Sequence, residues 1–128
     1  MKKTIFMDKY PIYSLVLEKS EIKQQNVQEI IEYFKQKIDE HPIARFIAAF
    51  DHYTHTKEID GEIDESILDA QNIVFCFGSA IPSTKILAVR PRSIGVAELK
   101  DKFVIEFLEA PKEQMHDLME SWAKSLKK

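Results

Sequence analysis

The chain has 128 residues, enough for one ordinary domain, and its 45% hydrophobic and 30% charged content is a globular rather than a disordered balance. A formal net charge of −3 gives no global pull toward nucleic acid or an anionic membrane, and the lone Cys76 excludes an internal disulfide framework and a Cys-rich metal module. With three glycines, five prolines and no repeat or low-complexity segment, one α+β domain over residues 1–128 is expected.

The opening, MKKTIFMDKYP, sets two lysines after Met as a secretory signal does, but Asp8 and Lys9 end its apolar run after four residues. No stretch approaches the roughly 18 apolar residues that span a bilayer. A cytoplasmic protein is expected, with neither membrane nor nucleic acid among its partners. Residues 11–18 then read as a strand, from partial alternation that ends in polar residues. In NVQEIIEYFKQKIDE, Val27, Ile30, Ile31, Phe34 and Ile38 trace one helical face. Asn26 suits the N-cap, Glu29 completes a capping-box-like pair, and Pro42 disfavours helical geometry at His41, so the helix should stop near Glu40.

Residues 43–56, IARFIAAFDHYTHT, read both ways. Ile43, Phe46, Ile47 and Phe50 fit helical spacing, whereas seven of the fourteen residues are β-branched or aromatic. Strand is the preferred reading. NIVFCFG (72–78) resembles a central strand, and residues 84–89, 93–99 and 102–109 follow as further strands, with Lys100 and Asp101 turning the last two into a hairpin. A C-terminal helix is expected from Pro111, with Met115, Leu118, Met119, Trp122 and Leu126 on its apolar face. These elements predict an α+β fold, a mainly antiparallel sheet with two amphipathic helices packed on one face.

Two polar clusters are candidates for function. Asp51, His52 and His55 stand together in FDHYTHT. On a helix the two histidines would share a face and could reach one metal ion; on a flat strand they would point to opposite faces. Histidine titrates near neutrality, and Asp51 could orient one of the rings. No Cys or Glu motif completes a ligand set, so no metal is expected. Polar decoration where a strand leaves the sheet is the preferred reading of this cluster.

The second cluster is VRPRSIG. Only three of the 18 basic residues are arginine, and two of them, Arg90 and Arg92, flank Pro91. Extended geometry at that proline would project both to one side, where forked guanidiniums can hold a carboxylate or phosphate. Residues 70–97 hold no acid, whereas residues 58–69 hold six, so an ion pair with Glu62 or Asp64 is the competing reading. Other motifs fail. GSAIPSTK lacks the Gly-Lys-Ser/Thr order of a phosphate loop, and DGEIDESILD has its glycine second rather than sixth, unlike an EF-hand. Cys76, between two phenylalanines, reads as a buried inert thiol.

At FDHYTHT, IVFCFG and LAVRPRSIGV the chain resembles small bacterial single-domain proteins grouped as a domain of unknown function, over most of its length. An Asp-His strand end followed by a Phe-Gly strand is more remotely similar to a second uncharacterised family of small, often dimeric α+β domains. That family continues with a Gly-Asn-Pro type turn, where this chain has Gly78, Ser79, Ala80, Ile81 and Pro82. The resemblance implies an α+β fold and a homodimer but no activity. Together these readings lead to a non-catalytic domain that binds a small anionic ligand or a protein partner, a second copy included, without a cofactor. The alternative is an enzyme or a metal- or cofactor-binding protein that uses His52 and His55.

Overall fold

A computed structural model describes residues 1–128. Six strands form one antiparallel sheet in the order β1-β2-β6-β5-β4-β3. They are β1 (Lys2–Phe6), β2 (Tyr10–Glu18), β3 (Arg45–Asp51), β4 (Asp69–Cys76), β5 (Arg92–Glu98) and β6 (Lys102–Leu108). Three helices join them: α1 (Val27–Glu40), α2 (His52–Glu58) and α3 (Glu113–Lys124). None is long and apolar enough to cross a membrane.

The expected α+β antiparallel class is what the chain adopts, and α1 follows its sequence signals closely. Asn26 Oδ1 accepts the Glu29 backbone N–H at 2.9 Å, satisfying one of the orphan donors of the first turn. The Glu29 carboxylate reaches back one residue further than a capping box would, to the Gln25 N–H at 3.3 Å. The helix stops at Glu40, before Pro42. All five expected apolar residues of α1 are buried.

Alternation along the strands builds the other wall of the core. Leu17 on β2, Phe103, Ile105 and Phe107 on β6, Ile94 and Val96 on β5, and Ile73 and Phe75 on β4 are buried on one face. Register confirms a common side, since Leu17 faces Phe103, Ile105 faces Val96 and Ile73 faces Ile94. The opposite face carries the exposed side chains of Val16, Glu106, Leu108 and Phe50. Buried side chains of α1 and α3 join the same 21-residue core cluster.

Four expectations need correction. Residues 84–89 are not a strand: Thr84–Ala88 form a 3₁₀ turn inside the β4–β5 connection. Phe75 of β4 pairs directly with Arg92 of β5, so the apolar run between them has no neighbouring edge to join, and Leu87 is exposed. Strand propensity without a partner strand carries no strand. Residues 43–56 are neither all strand nor all helix, because the chain changes period at Asp51. A third helix, α2, therefore joins the two expected. Finally, α3 begins at Glu113 rather than at Pro111, with Lys112 in the cap position. Its first hydrogen-bonded turn closes onto the Lys112 carbonyl, from the N–H groups of Met115 and His116.

Trp122 ties α3 to the sheet. Its ring meets Phe75 at 5.7 Å and Phe77 at 6.4 Å between centroids, both edge-on, and its backbone carbonyl accepts the Tyr33 hydroxyl at 2.7 Å. Trp122→Ala keeps that hydrogen bond but empties the space between α3 and β4. It should cost about 3–5 kcal/mol, read as a lower urea midpoint at unchanged slope. A loss under about 1 kcal/mol would show that α3 does not depend on this contact.

Candidate functional site

The two arginines of VRPRSIG line one cavity. It has a volume of about 60 Å³ and lies between the β4–β5 connection and the start of α3. Phe77, Ile86, Val89 and Met115 supply apolar walls, and Arg90, Arg92 and Lys112 supply three cationic side chains; no carboxylate lines it. Pairing of β5 with β6 explains the convergence. Gly95 faces Glu106, so the chain entering β5 runs beside the chain leaving β6, and Lys112 arrives next to Arg92 from twenty residues away.

Each guanidinium is held by backbone carbonyls. Arg90 Nη1 donates to the Ala80 carbonyl at 2.7 Å, and its guanidinium lies across Gly78, where an added Cβ would collide with it. Arg92 Nη2 donates to the Leu108 carbonyl, and Nη1 makes a long 3.5 Å contact with Val89 O. Arg92 Nε is buried and has no hydrogen-bond partner. Burial lowers the pKa of Arg92, an effect far too small to discharge a guanidinium near neutral pH. Neither arginine forms an ion pair, and Asp64 instead accepts the N–H and hydroxyl of Ser66, so the competing pairing with the acidic loop is not formed.

The histidines lie elsewhere. Asp51 ends β3 opposite Gln71, whereas Arg92 pairs with Phe75, four residues further along β4 and roughly 13 Å away along the strand. Asp51 caps α2: its Oδ1 accepts the Thr54 N–H at 3.0 Å and its Oδ2 the Thr54 hydroxyl at 2.9 Å. Its carboxylate therefore orients a backbone turn rather than an imidazole. His52 and His55 share one side of the helix, packed on Phe50 at centroid distances of 4.5 and 5.3 Å. His52 lines a separate hollow with Glu62 and Asp64. Groups of three or more His, Cys, Asp or Glu side chains able to hold a metal ion do not form.

Sequence reasoning missed Lys112, Gly78 and Met115. The hairpin of residues 93–109 carried a signal for Lys112, because its register already places residues before 93 beside residues after 108. Nothing local marked Gly78.

Near α2 the charge has the opposite sign. Asp69 faces Glu98 directly across β4 and β5. Burial first, then the charges of Asp51 and Glu98, raise its carboxyl above the ordinary aspartate range, against the lowering by the Ala70 N–H bonded to it. A carboxyl with a raised folded pKa binds protons more readily folded than unfolded. Its ionised form therefore costs stability above the folded pKa, and the cost vanishes as pH falls below the unfolded value of about 3.9. Asp69→Asn should raise the melting temperature at about pH 7 and give no gain near pH 3. Melts at both pH values check this, and a lower melting temperature at neutral pH would contradict it.

No curated protein and no solved structure matches the chain. A family model does match, over residues 1–128. The chain belongs to the family described as "Family of unknown function (DUF6858)".

Proposed function

We propose that the protein binds a small anion, without reaction, in the cavity of Arg90, Arg92 and Lys112. The observation that carries this reading is a partly buried guanidinium, Arg92, beside two further cations and with no carboxylate to neutralise it. Gathering like charges costs the free protein stability, and an anion bound among them relieves that cost. The apolar walls lower the local dielectric and strengthen each charge–charge contact. The first turn of α3, which has no side-chain cap, adds the positive end of the helix at the cavity mouth. Binding is favoured over catalysis because the lining has no histidine, cysteine or carboxylate to move a proton near neutral pH. The volume suits a carboxylate- or phosphate-sized group, since each water-sized guest needs on the order of 10–15 Å³ of such space.

Inorganic phosphate and acetate test the proposal, each measured by thermal shift at matched ionic strength. Bound ligand should stabilise by about 2.7 kcal/mol at a hundredfold excess over its dissociation constant. Lys112 is exposed and its side chain makes no hydrogen bond or ion pair within the fold, so Lys112→Gln should leave the ligand-free melting temperature unchanged or slightly raised and weaken binding about fivefold. Arg90→Lys should also weaken binding, through loss of the planar fork. Neither anion shifting the melting temperature would refute the proposal.

A further inference from the structure

The anion cavity shares two walls, Phe77 and Met115, with a second and larger cleft of about 170 Å³. That cleft lies between the turn joining α1 to β3 and the first turns of α3, and Ile43 and Leu118 line it with His41, Ser79 and Gln114. It carries no lysine, arginine or carboxylate. The Nδ1 of His41 accepts the backbone N–H groups of Ile43 and Ala44, at 3.2 and 3.1 Å, and is committed to the turn rather than to a ligand. Along the two spaces, the lysine and arginine side chains are confined to one end.

Met115, like Phe77, lines both of them. An unbranched thioether with three rotatable bonds can change rotamer at low cost, and here it borders a cationic hollow on one side and an apolar one on the other. A free inorganic anion would use the first space and leave the second filled with water against Ile43 and Leu118. An anion attached to an apolar body would fill both and bury that surface.

We infer that the ligand is an organic acid with an unbranched apolar tail: its carboxylate sits among Arg90, Arg92 and Lys112, and its tail passes Met115 into the cleft at Ile43 and Leu118. This inference rests on the anion-binding reading above and adds the class of molecule. Carboxylate is favoured over phosphate ester as the head because the first space is small and walled chiefly by apolar side chains, and a doubly charged, heavily hydrated group is the costlier one to desolvate there.

Calorimetric titration with acetate, butyrate, hexanoate, octanoate and inorganic phosphate tests the tail separately from the head. Burial of each added methylene should tighten binding by about fourfold until the cleft is filled. Ser79→Trp, which fills the cleft from an exposed loop position, and Leu118→Asn, which makes its wall polar, should each reduce the octanoate-to-acetate affinity ratio. That ratio is taken within each variant, so altered head binding or stability cancels. Equal affinity for all the acids would overturn the inference while leaving the anion-binding reading intact. A chain-length gain untouched by both variants would also overturn it, because the tail would then lie elsewhere. Absence of binding by every compound, phosphate included, would remove both readings together.

Discussion

Antiparallel pairing of β5 with β6 sets both the core and the cavity. Val96 opposite Ile105 turns two buried side chains toward the helices, and Ala97 opposite Val104 turns two others to the far face. A slip of β5 by one residue against β6 would turn Ile94 and Val96 to the far face and expose them to water. The same register lays the segment before β5 along the segment after β6. Arg92 marks that junction by donating to the Leu108 carbonyl, which fixes the mouth of β5 beside the approach to α3. The site is thus a consequence of the hairpin register rather than an addition to it.

Charge is distributed along the sheet in a way the modest net value of −3 conceals. At the α2 end, Asp51, Asp69 and Glu98 stand close together, and their repulsion is relieved where Lys19 bonds Glu98 at 2.7 Å. At the other end, Arg90, Arg92 and Lys112 have no such relief from within the chain. Backbone carbonyls satisfy some guanidinium protons but carry only partial charge. The unequal treatment distinguishes the two ends: one cluster has a partial counter-charge in Lys19, and the other has none within the chain.

Legibility in the sequence followed how local each signal was. Helix α1 could be read because its cap, its apolar face and its stop all lie within seventeen residues, Asn26 to Pro42. The β5–β6 hairpin could be read for the same reason. Strand β1 could not: all five of its residues are exposed, and the turn after it uses Met7 and Asp8 at φ of 54° and 58° instead of the Asn-Gly pair that usually marks such a hairpin. The strand at 84–89 was misread because an apolar run states a preference, and only a free sheet edge can realise it. At the candidate site, Arg90 and Arg92 were legible as neighbours in sequence. Lys112 and Met115 depended on tertiary pairing, and the separation of the histidines from the arginines depended on the β3–β4–β5 register. The helical part of FDHYTHT was concealed because Asp51 serves both as the last strand residue and as the cap of α2.

Gly78 shows how a single backbone position joins fold to site. No glycine in the chain has a positive φ, so this residue is not required for a left-handed turn. What it provides is space. The Arg90 guanidinium occupies the volume a side chain would need, lying flat across the chain just beyond β4. Because that guanidinium is the free end of a flexible side chain, an added methyl group could be accommodated by moving it, at little expense to the core. The cavity would not be spared, since Arg90 would leave the position from which it donates to Ala80 and lines the cavity wall. A glycine whose absence the fold can tolerate, and the cation cluster cannot, belongs to the placing of Arg90 rather than to the architecture of the sheet.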